Sequence, residues 1–246
     1  MAKTVLITGG ASGMGFLAGK CYAKEGENVV LVDINREALD SCVSEIAAIN
    51  PNVLGVVTDI RKYDEVCAAR DKAVERFGSI DILICFAGGA ECRLCNAHGE
   101  FQDNPIDIYD FSIDTNLKGA LYFDHAVMKQ MAKQNSGVIV HIGSITGQEG
   151  CASNVGYSAS KSALMNGMTK SIALAGAKYN IRCVCVAPGP VLTRPGMAGM
   201  KTMLGRAAEP QEIVDLVMYV ASEKGAFING VNILADGGRD IMRNKG

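Results

Sequence analysis

Short, nearly unbroken apolar runs alternate along the chain with longer stretches whose apolar residues recur every three or four positions. The runs TVLIT (4–8), NVVLVDI (28–34), VLGVVTD (53–59), IDILICFA (80–87), GVIVHIG (137–143), IRCVCVA (181–187) and VNILADG (231–237) predict seven strands. They are apolar throughout rather than strictly alternating, as strands covered on both faces must be, and this points to a parallel sheet. Between them, helices are predicted over 14–25, 36–49, 62–77, 116–134, 156–178 and 210–222. Repeated β-α units imply right-handed crossovers and an α/β, doubly wound, Rossmann-type sheet with helices on both faces. No repeat, low-complexity tract or linker interrupts the pattern, so 1–246 is read as one domain with its site beyond the carboxyl ends of the strands.

Composition narrows the function. Of 246 residues, 48% are apolar and 20% charged, and 24 basic against 26 acidic residues leave a net charge of −2. No basic stripe suggests nucleic acid, and no apolar run of about 18 residues suggests a membrane span. The opening MAKTVLITGG lacks a signal-peptide layout, and the nine cysteines are odd in number and scattered, so a reducing cytoplasm is expected. Cys92 and Cys95 form C-x-x-C with His98 nearby, but no second pair completes a metal set, and no metal is expected.

The first strand runs into TGGASGMG (8–15), where Gly9, Gly13 and Gly15 allow a sharp turn and a close approach of backbone to ligand. Amides at the start of the following helix can face a pyrophosphate. Asp33, at the end of the second strand, can accept from a ribose diol and repel a 2′-phosphate. With no cation at Ser12 or Ile34, the cofactor expected is NAD rather than NADP. In GYSASK (156–161), Tyr157 and Lys161 are one helical turn apart and share a helix face. A lysine ammonium roughly 4–5 Å from a phenol favours phenolate by about 3–4 kcal/mol at an effective dielectric of about 20, which brings a phenol toward neutral pH.

Taken with Asp59, Asn116 in TNLKG, Ser144 in HIGS and PGPVLT (188–193), these motifs resemble the short-chain dehydrogenase/reductase family in its compact single-domain form, over essentially the whole chain. The resemblance implies strand order 3-2-1-4-5-6-7. It makes Tyr157 the proton donor and acceptor, Lys161 the partner of the nicotinamide ribose, and Ser144 the donor to the substrate oxygen. Asn116 would hold a water of a proton relay. The dinucleotide would lie along Gly9, Ser12, Gly13, Met14 and Gly15, with Asp33 on the ribose and Asp59 and Ile60 at the adenine. Ala87 and Gly88 would line its channel, with Pro188, Gly189, Val191 and Thr193 near the carboxamide. Where the family has Asn-Ala-Gly, this chain has Phe86-Ala87-Gly88, and an Asn able to stitch backbone segments together is lost.

The substrate expected is a small-molecule secondary alcohol or ketone, bulky or ring-shaped ones included, with Ser144, Cys151 and Tyr157 lining its site and Gln148 close by. The segment 89–104 looks long and the one after Thr193 short, which suggests an open cleft. Arg194 could meet a substrate carboxylate or stay solvated. Met197, Met200 and Met203 could form an apolar lid or a turn facing the core. A homo-oligomer, tetramer or dimer, is expected. The alternatives are a non-catalytic NAD-binding regulator, which would not need Tyr157 and Lys161, and a cofactor-independent lyase on the same scaffold, which would lack the glycine loop.

Overall fold

The computed structural model describes residues 2–243. Seven strands, β1 (Thr4–Thr8), β2 (Asn28–Asp33), β3 (Val53–Val57), β4 (Ile82–Cys85), β5 (Gly137–Ile142), β6 (Ile181–Pro188) and β7 (Asn232–Ala235), form one sheet in the order β3-β2-β1-β4-β5-β6-β7. Every pairing is parallel. The strand order reverses between β1 and β4, which opens a crevice at their carboxyl ends.

Helices α1 (Gly13–Lys24), α2 (Arg36–Ala47) and α6 (Pro210–Ala221) cover one face, and α3 (Tyr63–Phe77), α4 (106–134) and α5 (155–176) the other. Successive side chains of a strand point to opposite faces, so each strand contributes to both cores. In β1, Val5 and Ile7 pack on the first face and Leu6 on the second. In β4, Ile82 and Ile84 face α1 and α6, and Leu83 and Cys85 face α4 and α5. This two-sided burial is why the strands read as continuous apolar runs.

Of the two helices nearest the crevice, α4 is longer than its sequence pattern suggests and α5 agrees with its pattern to within two residues, and each contains a widened turn. In α4, Ile106–Ile113 leads through a π-turn at Asp114–Lys118 into Gly119–Gln134. The start predicted at 116 is therefore the middle of a helix that begins just after Pro105. In α5, Val155–Ala163 leads through a π-turn at Leu164–Met168 into Thr169–Gly176. Such bulges gather at functional sites.

The core under α4 and α5 holds a polar network. Cys85, His141 and Cys185 are lateral neighbours on β4, β5 and β6. His141 Nε2 lies 2.9 Å from the Asp124 carboxylate of α4, and Nδ1 lies 2.9 Å from Thr169 Oγ1 of α5. The Thr169 hydroxyl donates to the Leu164 carbonyl at 2.7 Å, so its oxygen accepts the Nδ1 proton. His141, Asp124 and Thr169 are fully buried. Removing His141 would leave the buried Asp124 carboxyl without this partner. His141→Leu is therefore expected to cost about 3–5 kcal/mol of unfolding free energy in a urea titration. An unchanged midpoint would show that Asp124 does not depend on this partner.

Candidate active site

The crevice holds a cavity of about 850 Å³ whose wall combines the glycine turn, the ends of β2, β4, β5 and β6, and the start of α5. At one end, the turn after β1 is built from close backbone contacts. A Cβ on Gly9 would lie 2.8 Å from the Ala87 nitrogen, and one on Gly15 would lie 2.2 Å from the Gly9 carbonyl oxygen. Gly13 adopts φ +52° with open space where a Cβ would point. Ser12 caps α1 without a side-chain bond, and the first turn carries no acid, so its amides face the cavity free of a side-chain acceptor. This cradle and its donors fit a dinucleotide pyrophosphate.

Asp33 is half-buried beside the turn, accepting from Ala11 N and Asn35 N at 3.1 Å each. These bonds hold its carboxylate against the cavity wall. Asp59 also lines the cavity, but Arg61 grips both its oxygens at 2.8 and 2.7 Å. That fork, with the Arg61 charge, holds the Asp59 carboxyl below the usual carboxylate range. Phe86 lines the cavity without closing it, and its side chain packs against the core shared with α1 and α6. The stitch between β1 and β4 comes instead from Thr8, whose hydroxyl oxygen accepts from Ala87 N at 3.2 Å.

At the other end, Tyr157, Lys161 and Ser144 share the wall with Cys151. Lys161 Nζ lies 5.6 Å from the centre of the Tyr157 ring and donates to the Ile142 carbonyl at 2.7 Å. Ser144 Oγ accepts from Thr146 N at 3.2 Å and donates to Thr146 Oγ1 at 3.1 Å. Ile60, Gly88, Pro188, Gly189, Val191 and Thr193 complete the wall between the two ends, together with Met14. Asn116 is absent from it. Its Oδ1 accepts from Gly89 N at 2.8 Å, and its Nδ2 donates to the Gly89 and Ser112 carbonyls at 3.0 and 2.9 Å. The side chain fastens the π-turn of α4 to the segment after β4. Gln148 also lies outside the wall, whereas Arg194, Met197 and Met200 belong to it and Met203 is solvent-exposed.

The segment 89–104 contains an unforeseen single-turn helix, Glu91–Leu94. Arg93 and Leu94 line the cavity, while Glu91 is buried beneath and accepts from Tyr157 N at 2.7 Å through Oε1. Nothing in the sequence pattern separates these residues from an ordinary loop, because a contact 66 positions away defines them. Cys92, Cys95 and His98 do not converge. Among the described residues, only Cys85, Asp124 and His141 bring ligand atoms within metal-binding reach, and the hydrogen bonds described above already occupy His141.

The short chain dehydrogenase pattern matches residues 3–202, and the chain belongs to that family. It is 33% identical to a 3-oxoacyl-(acyl-carrier-protein) reductase of Thermotoga maritima over 96% of this chain and 97% of the relative. It is 35% identical to a trans-4-hydroxycyclohexanecarboxylate dehydrogenase of Sinomonas cyclohexanicum, over 98% and 94%. Among solved structures, an NAD+-bound xylitol dehydrogenase superposes with a TM-score of 0.88 at 28% identity, over 96% of this chain and 98% of that one. The relatives are dehydrogenases and reductases, in keeping with the fold and family that the sequence motifs implied.

Burial pushes the Cys151 thiol up, but hydrogen bonds from Ser153 and Asn154 to its sulfur outweigh burial and hold it below the ordinary thiol value. Burial instead raises Cys85, Cys183 and Cys185. A lowered value gives more thiolate at neutral pH, and thiolate is the form that alkylates. Iodoacetamide at pH 7 is expected to modify Cys151 well before those three, as read by peptide mass spectrometry. Equal labelling would refute the assignment.

Proposed function

We propose that the chain is an NAD-dependent dehydrogenase or reductase acting on a secondary alcohol or its ketone. The observation that carries this reading is the placement of Tyr157, Lys161 and Ser144 at one end of a cavity whose other end is the glycine turn and Asp33. The nicotinamide would accept or supply the hydride. Tyr157 carries the hydroxyl proton to or from the substrate oxygen. Ser144 donates to that oxygen as its charge changes. Lys161, anchored through one proton to the Ile142 carbonyl, has two left for a ribose hydroxyl and for the neighbourhood of the phenol. Asn116 acts through position: it fixes Gly89 and so the wall facing Tyr157. If a water relay runs past it, the main chain of its π-turn is the part available, since its amide group is engaged.

Charge supports NAD over NADP: Asp33 in the cavity wall would repel a 2′-phosphate, its neighbour Ile34 is apolar, and Arg61 is held by Asp59. An NAD+-bound relative of the same fold supports the choice. A homo-oligomer is consistent with the exposure of Leu174 on α5 and of Phe227 before β7.

Tyr157→Phe is expected to lower turnover by about 10²–10⁴-fold, with the Kd for NADH, read by fluorescence, nearly unchanged. Retained turnover would reject the mechanism. Asp33→Ala removes a repulsion worth about 1 kcal/mol or more and should raise kcat/KM for NADP relative to NAD by about tenfold. An unchanged ratio would reject Asp33 as the discriminating residue.

A further inference from the structure

The turn Glu91–Leu94 is fixed to the start of α5 at two points. Glu91 Oε1 accepts from Tyr157 N at 2.7 Å, and Cys92 N donates to Asn154 Oδ1 at 3.2 Å. Glu91 is only 1% exposed, and its Oε2 meets no donor among the described residues. Burying a carboxylate without a cation is costly, so the contact with Tyr157 is a feature held against that cost. On its outer side the same turn presents Arg93 to the cavity. Arg93 Nη2 donates to the Gly88 carbonyl at 2.8 Å and would collide with a Cβ at residue 89, 1.9 Å away. Gly89 thus leaves the space in which the guanidinium lies, and one bond braces it while its other donors stay free. Among the described residues, no carboxylate pairs with Arg93 or Arg194, both of which line the cavity. The only acids of the lining are Asp33 and Asp59, and Arg61 already grips Asp59. Apart from Glu91, whose carboxylate lies beneath the turn against Tyr157 N, the Tyr157 end of the lining carries neutral or cationic side chains, with Arg93 braced and Lys161 buried.

We propose that the substrate carries a carboxylate, which Arg93 binds, and that Glu91 is the positioning residue that ties this anchor to the backbone of Tyr157. The class is a hydroxy acid or oxo acid whose reacting carbon is separate from its carboxyl group. This inference rests on the oxidoreductase reading above. A planar guanidinium fork suits a planar carboxylate better than a neutral hydroxyl or amide. The bond from Glu91 to Tyr157 N would hold the anchor and the proton carrier at a fixed separation, which orients the carbinol carbon relative to the phenol.

The binding test avoids turnover. NAD+-loaded enzyme is titrated calorimetrically with unreactive acids (propionate, cyclohexanecarboxylate, benzoate), each against its primary amide. At least one acid is expected to bind about 10–100-fold tighter than its amide, and Arg93→Leu should abolish the difference while the Kd for NADH stays the same. No acid preference in any pair overturns the proposal. So does weakened NADH binding in Arg93→Leu, which would place the arginine on the cofactor. In turnover, 3- and 4-hydroxycyclohexanecarboxylate are compared with their amides. Arg93→Leu should raise KM for the acids by about 10–100-fold and leave the amides unchanged. Glu91→Ala should lower kcat on the acids more than on the amides, and Glu91→Gln, which keeps an acceptor for Tyr157 N, should restore it. Failure of that rescue overturns the positioning role. Neutral alcohols oxidised with no preference for acids would overturn the carboxylate site and leave the oxidoreductase reading. Carboxylate binding with no oxidation of any alcohol would do the reverse.

Discussion

A buried ammonium sets the terms of this site. Lys161 is almost inaccessible, and among the described residues no carboxylate pairs with it. Its one recorded hydrogen bond goes to the carbonyl of Ile142, at the last residue of β5. A carbonyl offsets only part of the cost of removing an ammonium from water, so under the proposed function the remainder would fall to the hydroxyls of a ribose and to the phenol one turn earlier on the same helix. The pairing of β5 with β4 and β6 fixes where that carbonyl points, and so where α5 must lie. Sheet register thereby becomes the geometry of a reaction centre.

Polar stitching does the same work around the crevice. Asn116 ties the wide turn of α4 to Gly89, Thr8 ties β1 to Ala87, and Glu91 ties the segment after β4 to Tyr157. Each joins a side chain to a backbone group of another element, so the ends of β1 and β4 and the helices α4 and α5 behave as one wall. The loss of the Asn that the family has at position 86 is tolerable in this setting. A hydroxyl on the neighbouring strand supplies the acceptor, and Phe86 turns its ring into the core.

The fold was largely legible because both faces of the sheet are covered: burial of Leu6 on one side and Ile7 on the other leaves a run such as TVLIT with no polar interruption. The glycine turn, Asp33 and the Tyr157–Lys161 pair were legible because close backbone approach and helical spacing restrict residue type. The boundaries of α4 were not. Its first two turns, after Pro105, have no strong apolar stripe, and a π-turn leaves no periodic trace in five residues. The role of Asn116 read differently from its position, because its partner Gly89 is 27 residues away in the chain. The turn of Glu91 and Arg93 was hidden for the same reason. It is stabilised by the helix it touches rather than by its own sequence.

The wide turns in α4 and α5 carry a consequence for how this architecture can change. Each residue of an α-helix advances the azimuth by about 100°. A π-turn holds one residue more than an α-turn, so deleting one residue at 114–118 or 164–168 would return that turn to α-geometry, whereas a deletion elsewhere would rotate Phe123 and Asp124 relative to Ser112, or Thr169 relative to Tyr157. Either the catalytic stretch or the core stretch of the helix would then face the wrong way. Each wide turn is therefore the place in its helix where one residue can be lost without turning the two stretches against each other, and so marks the joint between chemistry and packing.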